Sequence, residues 1–247
     1  MRALWAQAAA ETRMTLQRGE SVLLTLGIPV GLLVFLALTK VLPRPSDEVG
    51  YLAPGILSLA IMSTSMVSLG IATAFEREYK VLKRLRATPL GRPRLVAAKV
   101  ASVVLVEVLQ AAFIVGVGLA LGWHIGRPHG GGATGAVLAA LAAALAATAA
   151  FAGLGLLMAG RLRADLVLAV ANGLWLALLL LGGMLVPISK LPSGARSVAE
   201  LSPASALAGA LRAAMGTGTA VPGKDWAVLI AWAVVAPVAA AVTFRWE

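Results

Sequence analysis

Cysteine is missing from this 247-residue chain, which excludes a disulfide, a thiolate metal site, an S-acyl anchor and a cysteine nucleophile. Histidine is nearly missing too. His124 and His129 flank a glycine-rich loop with no third ligand nearby, short of the three or four that a metal site needs. Charged residues are 13% and aromatics 5%, against 60% hydrophobic residues and a mean hydropathy of +0.89. That leaves too little polar surface to cover a water-soluble globule. No G-x-x-x-x-G-K-[ST] phosphate loop occurs, so the chain has no such cradle for ATP. The zincin signature H-E-x-x-H and paired intramembrane carboxylates are lacking as well, which leaves an intramembrane protease without support. Nor is there a cleavable leader pattern: Arg2, Glu11, Arg13, Arg18 and Glu20 interrupt the first twenty residues, and the start of the chain is expected to be retained.

What is present is apolar sequence in long runs. Segments at 22–42, 51–75, 95–122, 134–159, 165–186 and 226–244 are each near the roughly 20 residues that about 30 Å of hydrocarbon requires, which predicts six transmembrane helices in one membrane domain over 21–247. The alternation of a transmembrane barrel does not occur. The fourth and fifth runs are separated only by Gly160–Ala164, which predicts a tight antiparallel hairpin. The formal charge of +10 has a simpler use as a topology signal than as a nucleic-acid surface. Thirteen Lys and Arg fall in the N-terminal segment, the 76–94 connection, the 161–163 turn and after the last run, and seven in the longer opposite loops. The positive-inside rule then puts both termini in the cytoplasm and the 187–225 loop outside. Residues 1–20 divide into an apolar face with Leu4, Trp5 and Leu16 and a polar face with Arg2, Glu11 and Arg18. That pattern predicts an amphipathic helix along the cytoplasmic interface.

The most specific stretch is FEREYKVLKRLRATPLGRPR, residues 75–94. At helical spacing Phe75, Tyr79, Val81, Leu82 and Leu85 share one side, while Glu76, Arg77, Lys80, Lys83 and Arg84 share the other. Glu76 and Lys80 stand four apart in the favourable order, and Pro89, Gly91 and Pro93 stop the helix. The expectation is a short two-faced cytoplasmic helix over 76–88. A plain topology anchor has no need of the apolar stripe.

This stretch resembles the permease subunits of bacterial type-2 ATP-binding-cassette (ABC) exporters. The likeness rests on the Arg77-Glu78 pair, the closing Ala87-Thr88-Pro89-Leu90, the interfacial segment and six runs, and Gly182-Gly183-Met184 leading to Pro187, Leu191-Pro192 and Leu201-Ser202-Pro203. The resemblance implies an all-α type-2 exporter fold in the bacterial plasma membrane, with residues 76–88 as a coupling helix. It implies docking on a separate ABC ATPase subunit that binds ATP and Mg. Tyr79, Leu82 and Leu85 would form the docking face, and Lys83, Arg84 and Arg86 would pair with acids of the ATPase or with lipid headgroups. The 187–225 loop would form short re-entrant helices, and a second permease copy or a homologue would complete the pore.

Polar residues inside the apolar runs are costly and each needs an account. Glu107, with Gln110 one turn later, has packing and transport roles open to it, and Lys99 is expected to snorkel to the cytoplasmic edge. In the second run Ser58, Thr64, Ser65 and Ser68 are expected on one side. In the fifth, Asp165, Asn172, Leu176, Leu179 and Gly183 fall on one stripe. By the resemblance these helices line the central path, so Ser58, Met62, Ser65, Asn172, Leu176 and Leu179 are the candidate substrate contacts, with close helix packing the competing reading. The expected cargo is an amphiphilic drug, natural product or lipid. The alternative is an ion-coupled secondary transporter using Glu107 and Asp165, which predicts inverted repeats that the halves do not display.

Overall fold

The computed structural model describes residues 23–39, 48–81, 91–125, 132–217 and 219–244, and every regular element among them is helical. In chain order these are α1 (Ile28–Thr39), entered through a π-helical turn at Leu23–Gly27; α2 (Glu48–Met62); a second π-helical stretch, Ser63–Ser68; and α3 (Leu69–Glu78). Then follow α4 (Gly91–Ala120), α5 (Gly132–Arg161), α6 (Ala164–Leu181), a 3-10 turn at Ile188–Lys190, the short α7 (Ser193–Glu200) and α8 (Pro203–Leu211), a π-helical turn at Arg212–Thr217, and α9 (Gly223–Thr243). The expected interfacial helix at 1–20 lies outside the described residues.

Five helices among the described residues are long and apolar enough to cross a membrane: Val49–Glu78, Val96–Ala120, Thr134–Arg161, Ala164–Leu181 and Gly223–Thr243. The first apolar run, expected to span over 22–42, is here the shorter helix Thr25–Thr39. A helix of that length rises only about 22 Å at 1.5 Å per residue.

The second span, α2 through α3, is the centre of the bundle, 72% buried along its most apolar window against 17% for α9. Leu52, Ile56, Met62 and Met66 on it belong to one apolar core with Phe151, Leu207 and Leu229. The outer helices expose Val108, Leu141, Leu180 and Val234, as helices facing lipid do, because lipid is as apolar as the side chains themselves. Close approach therefore has to hold the bundle, and the Ala-rich α5 provides it. A Cβ on Gly153 would meet the Pro237 nitrogen at 2.5 Å, and one on Gly155 the Met66 carbonyl oxygen at 2.6 Å. The bare backbone at these two positions lets α5 lie against α9 and against the π-helical stretch.

At the other end of the bundle α6 stops at Leu181, short of the expected 186. Gly183, at φ 66°, takes the left-handed conformation that glycine tolerates and turns the chain. The Ser202 hydroxyl caps α8 by accepting from the Ser205 N–H at 3.1 Å, with Pro203 at the first helical position, where its missing N–H costs nothing. Ala204, Leu207, Ala210 and Leu211 of α8 are buried against α2, α5 and α9, so this apolar stretch is packed protein rather than a solvated loop.

Candidate functional site

The end of α3 is where charge concentrates. Glu76, Arg77 and Glu78 are consecutive, so on a helix their side chains leave in three directions about 100° apart. Both Glu76 carboxylate oxygens lie 2.7 Å from Lys99 Nζ on α4. The Arg77 guanidinium donates to the Leu162 carbonyl in the α5–α6 turn. Glu78 Oε2 accepts from the Ala164 N–H at 3.3 Å, the first residue of α6, where a helix has unsatisfied donors and favours negative charge. Three neighbouring residues thus tie the end of one span to α4, to the turn and to α6.

The helix expected over 76–88 is interrupted. α3 ends at Glu78, and Lys80 has φ 59°, a left-handed conformation uncommon outside glycine. Glu76 consequently pairs with Lys99 and not with Lys80. Lys99 is only 4% exposed, so an exposed lysine four residues along cannot compete with a buried ammonium that needs a counter-charge. The same pair corrects the expected snorkelling of Lys99. Tyr79 stacks on Phe75, ring centroids 6.1 Å apart, and Tyr79 and Val81 are exposed. Leu82, Lys83, Arg84, Leu85 and Arg86 lie outside the described residues.

Midway along the second span the backbone widens. Ser63 Oγ donates to the Leu59 carbonyl at 2.7 Å and accepts from Trp175 Nε1 on α6 at 2.7 Å. Thr64 Oγ1 donates to Gln110 Oε1 on α4 at 3.1 Å, and Gln110 Nε2 donates to the Thr25 carbonyl at 2.7 Å. Hydroxyls that bond to backbone four residues back loosen a helical ladder, and π-helical turns occur often at working sites. The extra residue per turn also shifts the register, so Ser58, Thr64 and Ser65 are buried while Ser68 is exposed, and the four do not share one face.

The candidate pathway residues fall into two groups that do not meet at one surface. Ser58, Met62 and Ser65 are fully buried within the chain, with Ser58 Oγ on the Pro54 carbonyl at 2.8 Å and Ser65 Oγ on the Ile61 carbonyl at 2.5 Å. Asn172 and Leu176 point outward from α6 and Leu179 is half-buried; the Asn172 amide donates to the Leu168 carbonyl at 2.7 Å. Asp165 is exposed in the first turn of α6, 3.6 Å from Arg163. Glu107 is buried on α4 and accepts from Thr148 Oγ1 on α5 at 2.6 Å, so the two acids of the secondary-transporter reading sit in separate places.

Several contacts were not foreseen: Trp175 on Ser63, Gly70 against Gly155, and Arg212 beneath the α6–α7 turn. Only Arg212 left a signal, as the one charge in the run Ala204–Ala214. Among known proteins, the family model described as ABC-2 type transporter matches residues 3–215. No curated protein matches the sequence.

Proposed function

From its membership of the ABC-2 type transporter family, which makes this multi-pass chain the membrane permease of an ABC transporter, we propose that it works as an exporter driven by an ATPase on a separate chain. The partner ATPase binds ATP and Mg and docks on the segment that begins at Tyr79. The observation that carries this reading is the triple tie at the end of α3, where Glu76, Arg77 and Glu78 reach α4, the α5–α6 turn and α6. A push on residues 79–90 is thereby shared among the second to fifth apolar segments, which is what a coupling segment must do.

In this reading the chain has six membrane-inserted helices counting α1, both termini are cytoplasmic, and α7 and α8 form a re-entrant roof on the outer side of a bacterial plasma membrane. Two permeases meet along the exposed face of α6, with Asn172, Leu176 and Leu179 at the central path. Ser58, Met62 and Ser65 form a second layer that reaches the path when the π-helical turn rearranges. The apolar character of that face suits amphiphilic small molecules, drugs, natural products or lipids, which move outward by alternating access.

The test is Leu82→Asp and Leu85→Asp in the assembled complex. Each is expected to abolish substrate-stimulated ATP hydrolysis and transport while membrane insertion remains normal. Normal transport by both variants would remove the docking segment from the mechanism. Asn172→Ala is expected to change substrate preference without changing ATPase assembly, and an unaltered substrate panel would return Asn172 to helix packing.

A further inference from the structure

Between α4 and α5 the bundle opens into a cleft of about 460 Å³, lined also by Leu57 and Ile61 of α2 and by Leu211 and Met215. Its mouth is flanked by Val108, Val137 and Leu141, all more than half exposed, so it opens sideways to lipid. Glu107 lines this cleft and is the only ionisable residue there among the described residues. The size is within the range of about 300–1,000 Å³ typical of small-molecule sites.

The carboxyl group is short of donors. Glu107 is 7% exposed, and its Oε1 is buried with no hydrogen-bond partner among the described residues. Its Oε2 has Thr148 Oγ1 at 2.6 Å, but that hydroxyl also lies 2.9 Å from the Ala144 carbonyl and carries a single hydrogen. When ionised, a group with two acceptor oxygens thus faces an apolar cleft with at most one hydrogen offered to it by the described residues. In hydrocarbon an acceptor left unmet is expensive, and a lipid acyl chain entering the cleft brings no donor. A lipid headgroup ammonium stays at the interface, whereas Glu107 is near the middle of Val96–Ala120.

The geometry points to a lipid-accessible binding site for an amphiphilic organic monocation, a protonated amine on an apolar body. The ammonium donates to Glu107 Oε1, and the apolar body lies along Val108, Ala111, Ala140 and Leu141. The site is on the α4–α5 side of the chain, apart from the α6 face assigned to the transport path. Its test reads binding alone and needs no ATPase, so its failure and the failure of the exporter reading are separate results.

Membranes containing the full chain are photolabelled with a twelve-carbon primary amine carrying a mid-chain diazirine, and in parallel with the matching alcohol. Labelled peptides are then identified by mass spectrometry. The expected result is amine labelling on α4 and α5 peptides, displaced by excess dodecylamine, with the alcohol labelling at least tenfold less. Glu107→Gln is expected to lower amine labelling at least tenfold. Leu141→Trp, which fills the mouth from a half-exposed position, is expected to lower it as well. Equal labelling by amine and alcohol in the unaltered protein would make the cleft an acyl groove and overturn the proposal. Undiminished labelling of either variant would overturn it too.

Discussion

Arg212 lies over Tyr51 with its guanidinium carbon 3.8 Å from the ring centroid, and the same side chain donates to the carbonyls of Gly183 at 2.6 Å, Met184 at 2.7 Å and Tyr51 at 3.3 Å. The Tyr51 hydroxyl donates to the Gly183 carbonyl at 2.9 Å. One cation therefore joins the start of the second span, the turn after α6 and the end of α8. Removing a charged donor from buried carbonyls costs about 3 kcal/mol, so Arg212→Ala is expected to lower thermal stability in detergent by that order. Arg212→Lys is expected to recover less than half, because an ammonium lacks the planar fork and the stacking surface. Unchanged melting of Arg212→Ala would mean that this end of the bundle is held by other contacts.

Glycine substitutions along the bundle should rank by what a new methyl group meets. At Gly155 it strikes the Met66 carbonyl oxygen at 2.6 Å, and at Gly70 it meets Gly155 at 3.1 Å, whereas at Gly173 nothing of this chain lies within 4 Å. Backbone does not yield as a side chain does. Gly155→Ala is expected to cost about 2 kcal/mol, Gly70→Ala less, and Gly173→Ala to be neutral or stabilising by up to about 1 kcal/mol through helix propensity. Thermal melts of the three variants check the order, and equal melts for Gly155→Ala and Gly173→Ala would refute the close packing.

The long apolar runs made the helical class and the membrane legible at once, because burial in lipid demands length and little else. The 161–163 turn was legible for the same reason. Less visible was anything decided by which helix lies beside which. Glu76 had a partner in sequence at Lys80, yet the partner in space is Lys99, twenty-three positions away and buried. The serines of the second span suggested one face, but their hydroxyls helped widen the backbone and rotate that face. Gln110 was noticed beside Glu107, although its bonds to Thr64 and Thr25 follow from tertiary packing that no spacing rule encodes. Of the site itself, the chain offered Arg77 and Glu78 as a neighbouring pair, while their partners at Leu162 and Ala164 were not readable from it.

Ser63 and Trp175 offer a direct measure of how firmly the widened turn is held to α6. Their hydrogen bond at 2.7 Å joins two spans within the membrane, where such bonds contribute about 1 kcal/mol net. A double-mutant cycle with Ser63→Ala and Trp175→Phe is expected to return a coupling energy of about 1 kcal/mol in thermal stability. A coupling indistinguishable from zero would detach the two helices at this point.

Outside the membrane-spanning segments, Glu200 ties α7 to the start of α9. Its carboxylate accepts from Lys224 and from Arg196 Nε, the latter at 3.0 Å, and these bonds, with Lys224 first, hold its pKa below the ordinary glutamate value. The folded state then binds this proton more weakly than the unfolded chain does, so the contribution is present above the unfolded pKa and lost as pH falls through the folded one. The contribution is small, because water screens an exposed pair. Backbone hydrogen-exchange protection of residues 193–200, corrected for intrinsic rates, is expected to stay level from pH 8 to about 4.3, the ordinary glutamate value, and to fall only at more acid pH. In Glu200→Gln the protection is expected to be lower throughout and to show no acid step. A step that survives that substitution would assign the titration to another carboxyl group, Asp225 beside it being the first to examine.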